Sequence, residues 1–150
     1  MDSMHRILPP EQLMPQLPEL LEEVTVIPLV ISGNSMVPFL VHGRDTVFLS
    51  KLSGFPVRGD MILYRRDCGA YVLHRVFRAE KGLYTMLGDA QVTPEPGIRE
   101  DQCLAIVTAV RRKGKVLKKG SFLWWFFEKI WPQLRPIRPY LLRLYSIIKR

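Results

Sequence analysis

Tyr71-Val72-Leu73-His74-Arg75-Val76-Phe77 is the stretch on which the fold turns. Its residue types are those of a strand, and alternation sends Val72, His74 and Val76 to one face and Leu73, Arg75 and Phe77 to the other. Short apolar runs lie on both sides of it. Val24 to Ile31 carries Pro28 and reads as an edge or bent strand; Thr46 to Leu49, Met61 to Tyr64, Leu83 to Leu87 and Leu104 to Val110 follow. Turn-forming clusters separate the runs: Gly54-Phe55-Pro56, Asp67-Cys68-Gly69, Glu80-Lys81-Gly82 and Thr93-Pro94-Glu95-Pro96-Gly97. This spacing predicts a mainly β fold, a coiled antiparallel sheet or partial barrel, over residues 24–117. A hydrophobic fraction of 47% excludes a wholly disordered chain, and 12 prolines argue against a long-helix bundle.

Two different segments flank this body. Residues 1–23 form a Pro-punctuated N-terminal arm in which Leu13, Leu17, Leu20 and Leu21 fit one face of a short helix. Its first residues do not lead into an apolar h-region, so no signal peptide is expected. Residues 118–150 are basic and aromatic, and their prolines (Pro132, Pro136 and Pro139) predict two helical pieces joined by an elbow. The net charge of +8 is concentrated there: residues 111–150 hold 12 of the 22 Lys and Arg against one acid, Glu128. The positive charge therefore describes what the tail touches, not the body. Trp124, Trp125 and Trp131 with Phe122, Phe126 and Phe127 suit a bilayer interface, and their basic neighbours suit anionic headgroups. The tail is thus expected to hold the protein peripherally on a membrane and to be dispensable for chemistry, the alternatives being that it packs on the domain or on a protein partner and that the protein is cytoplasmic. No run is long enough to span a bilayer. Nucleic acid is not an expected partner, because the aromatics are clustered and bulky instead of interleaved with Lys and Arg. Cys68 and Cys103 are too few for a disulfide framework or a structural zinc site, and no metal or cofactor is expected.

Chemistry-bearing residues sit in the β body. In Ser32-Gly33-Asn34-Ser35-Met36-Val37-Pro38, Gly33 and Asn34 both tolerate positive φ, so the chain can turn sharply and present Ser35. Backbone N–H groups beside it, at Asn34 and Met36, are candidates for an oxyanion hole. A serine hydroxyl is a poor nucleophile at neutral pH and needs a base, for which His74 is the candidate. Asp89 in Leu87-Gly88-Asp89, or Glu95 beyond it, could orient the imidazole.

Four boxes in order resemble the signal peptidase I and LexA-like serine peptidase superfamily. They are Gly33-Asn34-Ser35-Met36-Val37-Pro38, Arg58-Gly59-Asp60-Met61-Ile62-Leu63-Tyr64, Leu73-His74-Arg75-Val76 and Gly88-Asp89, within residues 26–110. The resemblance implies a coiled β-sheet fold, a nucleophile at Ser35 and cleavage of a peptide bound in extended form. His74-Arg75-Val76 is similar to the endoplasmic-reticulum-type and archaeal branch, which uses a histidine base where bacterial signal peptidases use lysine. An unperturbed histidine already titrates near 6.5, whereas lysine must be brought down from about 10.4. The resemblance implies Asp89, or Glu95 six positions on, as the third member. The sequence departs from the family where Gly33 replaces the serine two places before the nucleophile, and where Ala90 and Gln91 stand for the usual asparagines. The expected function is a serine endopeptidase trimming a leader or signal segment from a secreted or modified peptide. Its rival is a peptidase fold that keeps the groove and binds peptide without turnover.

Overall fold

A computed structural model describes residues 10–149; the reading of residues 1–9 as a leader without an apolar h-region lies outside them. The protein is mainly antiparallel β, as the sequence predicts. Its strands are β1 (Ile27–Val30), β2 (Thr46–Ser50), β3 (Met61–Arg65), β4 (Tyr71–Glu80), β5 (Leu83–Leu87), β6 (Glu95–Arg99), β7 (Cys103–Arg112) and β8 (Lys115–Lys118). They form one open sheet in the order β1-β2-β7-β3-β4-β5-β6, with β8 paired to β7. β1 pairs only with β2, so Pro28 stands on an edge where its missing N–H costs no ladder bond.

Two strands depart from expectation. Glu95–Arg99, read as part of a turn, is strand β6; Pro96 and Gly97 are tolerated because β6 is the opposite edge, paired only with β5. β8 was not foreseen at all. It returns from β7 through Lys113 and Gly114, both at positive φ (51° and 80°), a hairpin turn that its lysine-rich sequence conceals.

The coiling sheet encloses two apolar clusters, and β3 serves both. Met61 and Leu63 point into the larger cluster, while Ile62 and Tyr64 point into a smaller one with Val76, Tyr84, Met86, Ile98 and Cys103. The alternation foreseen for β4 holds, since Leu73 packs against the larger cluster and Val72 and Val76 belong with the smaller. The larger cluster also takes Leu13, Met14, Leu17 and Leu21 from α1 (Pro10–Glu23), a helix that continues through Pro15 and Pro18. From the C-terminal segment it takes Trp124, Phe127 and Trp131. Arm, sheet and tail therefore share one core.

The C-terminal segment is a continuous helical run instead of two pieces with an elbow. It comprises α2 (Phe122–Trp125), a π-helical turn (Phe126–Ile130), a 3-10 stretch (Trp131–Ile137) and α3 (Arg138–Ile148). Pro132 and Pro136 fall in the 3-10 stretch, where the missing donors are absorbed by a change of pitch. No helix among the described residues is long and apolar enough to cross a membrane.

Candidate active site

The nucleophile segment between β1 and β2 is tied down at its base and along its length. Ile31 and Gly43 close it: Gly43 N–H donates to Ile31 O, and Ile31 N–H donates to Asp45 O, each at 2.9 Å. Gly33 takes φ = 87° and makes the sharp turn; Asn34, which the sequence offered for the same purpose, is not at positive φ. The Gly33 N–H donates to His42 Nδ1 at 2.8 Å, so His42 pins the turn before Ser35. Farther on, Arg112 Nε donates to Phe39 O at 2.8 Å. Met36 and Phe39 are buried in the larger core, while Ser35 just before them is half-buried and Asn34 exposed.

His74 is only 3% exposed and heads a chain of hydrogen bonds. Its Nδ1 lies 3.1 Å from Tyr64 Oη, Tyr64 Oη lies 2.5 Å from Glu95 Oε1, and Arg66 Nε lies 2.8 Å from Glu95 Oε2. The register explains the first contact: β3 and β4 pair Ile62 with His74 and Tyr64 with Val72, so Tyr64 and His74 share a face two residues apart. Burial alone would raise the Glu95 pKa, but hydrogen bonds from Arg66 and Tyr64, with the Arg66 charge, hold it below the usual carboxylate value. Glu95 is therefore an anion and can only accept. Tyr64 has one hydroxyl proton and gives it to Glu95, so the His74–Tyr64 bond must be donated by the imidazole. His74 is thus protonated at Nδ1, and its Nε2 carries the free lone pair.

Burial, and after it the Arg66 charge, lowers the His74 pKa to about 4, against smaller opposing effects of Glu95 and Asp89. His74 is therefore neutral throughout the ordinary range, and if it serves as a general base a rising limb of kcat/KM is expected near pH 4, below the 6–7 of an unperturbed histidine. A stability effect follows with a definite sign. The unfolded chain takes up a proton at His74 near pH 6.5, the folded protein only near 4. Between these values the unfolded state binds more protons, so stability rises with pH and is lost on acidification, by on the order of 3 kcal/mol. Urea midpoints at pH 4 and pH 7 should differ accordingly, and His74→Gln should remove most of the difference.

Asp89 lies elsewhere. Its carboxylate takes two hydrogen bonds from Arg75, Nε to Oδ1 at 2.9 Å and Nη2 to Oδ2 at 3.0 Å, and both side chains are buried. Arg75 also donates to Gly59 O at 2.9 Å. Alternation sends His74 and Arg75 to opposite faces of β4, so a carboxylate bound to Arg75 is not one that holds His74. Of the two acids named from the sequence, Glu95 reaches the imidazole, and does so through Tyr64, a residue that was quoted within a box but given no role. Its signal was available: a tyrosine two residues past the β3 position that faces the base.

Gly88 packs against the backbone of Ser35, one residue past Leu87, which β5 pairs with Arg75 of β4. A Cβ added at Gly88 would lie 2.5 Å from Ser35 O, so the Ser35 backbone packs where only glycine fits. The Ala90 N–H then donates to Ser35 O at 2.9 Å. Among the described residues no hydrogen bond joins Ser35 Oγ to His74. Such bonds commonly form only once substrate is bound.

The Gly88–Gln91 turn depends in turn on the tail. Trp131 Nε1 donates to Asp89 O at 2.7 Å, and Arg138, 1% exposed, donates to Gln91 O at 2.6 Å and Gly88 O at 3.3 Å. Phe127 packs on Phe39 of the nucleophile segment, ring centroids 4.8 Å apart. These contacts pack the tail on the turn bonded to Ser35 O and on Phe39, and Trp124 and Trp131, expected at a bilayer interface, are core residues.

A cleft of about 130 Å³ runs beside Ser35, bounded by Ile31–Gly33, Met36 and Tyr71–Leu73, and a neighbouring one of about 290 Å³ continues along Leu29–Ser32, Leu63 and Leu73. Both are bordered by strand edges with free backbone groups. Among the described residues β1 pairs with no strand on its outer side, and β5 pairs with β4 only from Arg75 onward, leaving Tyr71–Leu73 unpaired on that side. Comparison with known proteins supplies no relative for this arrangement: no family model matches the chain, and no curated protein does.

Proposed function

We propose that this protein is a serine endopeptidase of the signal-peptidase type, in which Ser35 attacks and His74 is the general base, cleaving a leader or signal segment from a secreted or modified peptide. The observation that carries the reading is the buried His74, whose Nδ1 bonds Tyr64 Oη while Tyr64 bonds Glu95, an arrangement that leaves Nε2 as a free base. The peptide lies extended between the free edges of β1 and β4, its backbone bonding to them as an added strand. His74 Nε2 removes the Ser35 proton as Oγ attacks the scissile carbonyl carbon. Backbone N–H groups of the Asn34–Met36 turn receive the developing oxyanion. The imidazolium returns its proton to the leaving amine, and water, activated by the same nitrogen, releases the acyl group. A fluorophosphonate probe tests this: wild-type protein should be labelled at Ser35 and Ser35→Ala should not. Peptide binding with no labelling would favour the rival, a binding module without turnover.

The reading includes a membrane surface as partner, with a changed set of contacts. The exposed large apolar side chains of the tail are Phe122 and Trp125 of α2, Ile137 before α3, and Tyr140, Leu144, Ile147 and Ile148 along α3. The latter recur at i, i+4, i+7 and i+8, an apolar stripe facing solvent, with Arg143 and Lys149 exposed beside it and no acidic residue after Glu128. Vesicles containing anionic lipid should sediment the protein, and Leu144→Ser with Ile147→Ser should weaken that several-fold without unfolding it. Equal sedimentation of the variant would remove α3 from the membrane contact.

A further inference from the structure

We propose that Tyr64 is a positioning residue for the base: it locks His74 in the tautomer that leaves Nε2 free and couples the imidazole to the Glu95–Arg66 ion pair. The proposal rests on the reading of His74 as general base, and its geometry stands apart from that reading.

In a direct histidine–carboxylate pair the acid itself orients the ring. Here a phenol stands between them, with Nδ1 to Oη at 3.1 Å and Oη to Oε1 at 2.5 Å. The direction of every bond in the chain is fixed by its far end. Arg66 has only donors and bonds both Glu95 oxygens, at 2.8 and 3.2 Å. Glu95 therefore accepts from Tyr64, and Tyr64 has nothing left to give His74. If the Glu95 anion were absent, the hydroxyl could turn and donate to Nδ1, which would move the ring proton to Nε2 and leave that nitrogen no free lone pair. Ionisation of Tyr64 does not compete, because burial and the Glu95 charge raise its pKa above that of a free phenol. When Nε2 takes the serine proton, no further proton need travel. The new imidazolium charge strengthens the Nδ1–H···Oη bond, and the phenol, polarised toward Glu95, answers it.

The first test needs no variant. Nitrogen-15 NMR of the wild-type imidazole at pH 7 should show His74 protonated at Nδ1 and unprotonated at Nε2; a dominant Nε2–H form overturns the proposal. The second is Tyr64→Phe, which keeps the ring in the smaller core. Its kcat is expected to fall by about 100-fold or more with KM within about twofold, and the NMR signal should shift toward a tautomer mixture. Unchanged kcat in a protein whose Ser35 still takes the phosphonate overturns the role of Tyr64 and leaves the peptidase intact. Absence of phosphonate labelling in the wild type sinks the peptidase, while the tautomer measurement still decides what Tyr64 does.

Discussion

A chain ending at Leu117 is expected not to fold. The cut removes Trp124, Phe127 and Trp131, all buried in the larger core, and deletion of one such aromatic costs roughly 3–5 kcal/mol. Three together approach or exceed the whole stability of an ordinary domain, about 5–15 kcal/mol. The same cut takes Arg138 from the carbonyls of Gly88 and Gln91, and Trp131 from that of Asp89. Circular dichroism and urea titration of the truncated chain should show no cooperative transition. A sharp transition with peptidase activity retained would return the tail to the status of a detachable anchor. Arg138→Ala is the milder companion: it should fold, be less stable, and cleave more slowly, because the turn that holds the Ser35 carbonyl loses its clamp.

Ser35→Ala and His74→Ala should each lower kcat/KM on a cleavable peptide by about 10⁴-fold or more, and the double variant should be little worse than either. The reason is that an alcohol without a base and a base without an alcohol are equally idle. Additive losses would mean that the two side chains work separately. Gly88→Ala offers a geometric check, since its new methyl would meet Ser35 O at 2.5 Å and must push the nucleophile away. Ser35→Ala, by contrast, should leave the folded structure intact.

Much of this was legible before the structure. The alternation of Tyr71–Phe77 gave the faces of β4, and Pro28 marked an edge, because both are rules of local geometry that tertiary context reinforced. Ser35, His74 and Glu95 could be named from spacing and resemblance. What escaped was set by long-range pairing. Asp89 follows a glycine at a strand end whether it serves His74 or Arg75, and only the register of β4 against β5 separates these. The tail looked like an interface segment because tryptophans beside lysines read alike on a membrane and in a core; which side of the helix packs inward is decided by the sheet it lies on. Tyr64 stood in a box of apolar residues, and its hydroxyl acquires meaning only when β6 brings Glu95 to it.

The clamp on the Gly88–Gln91 turn also imposes an order in time. Ser35 and His74 leave the ribosome long before Trp131 and Arg138, so during synthesis the chain carries both without the side chains that seat the turn bonded to Ser35 O. On the proposed reading, a nascent or prematurely terminated copy would hold the residues assigned to the chemistry before the contacts that seat them.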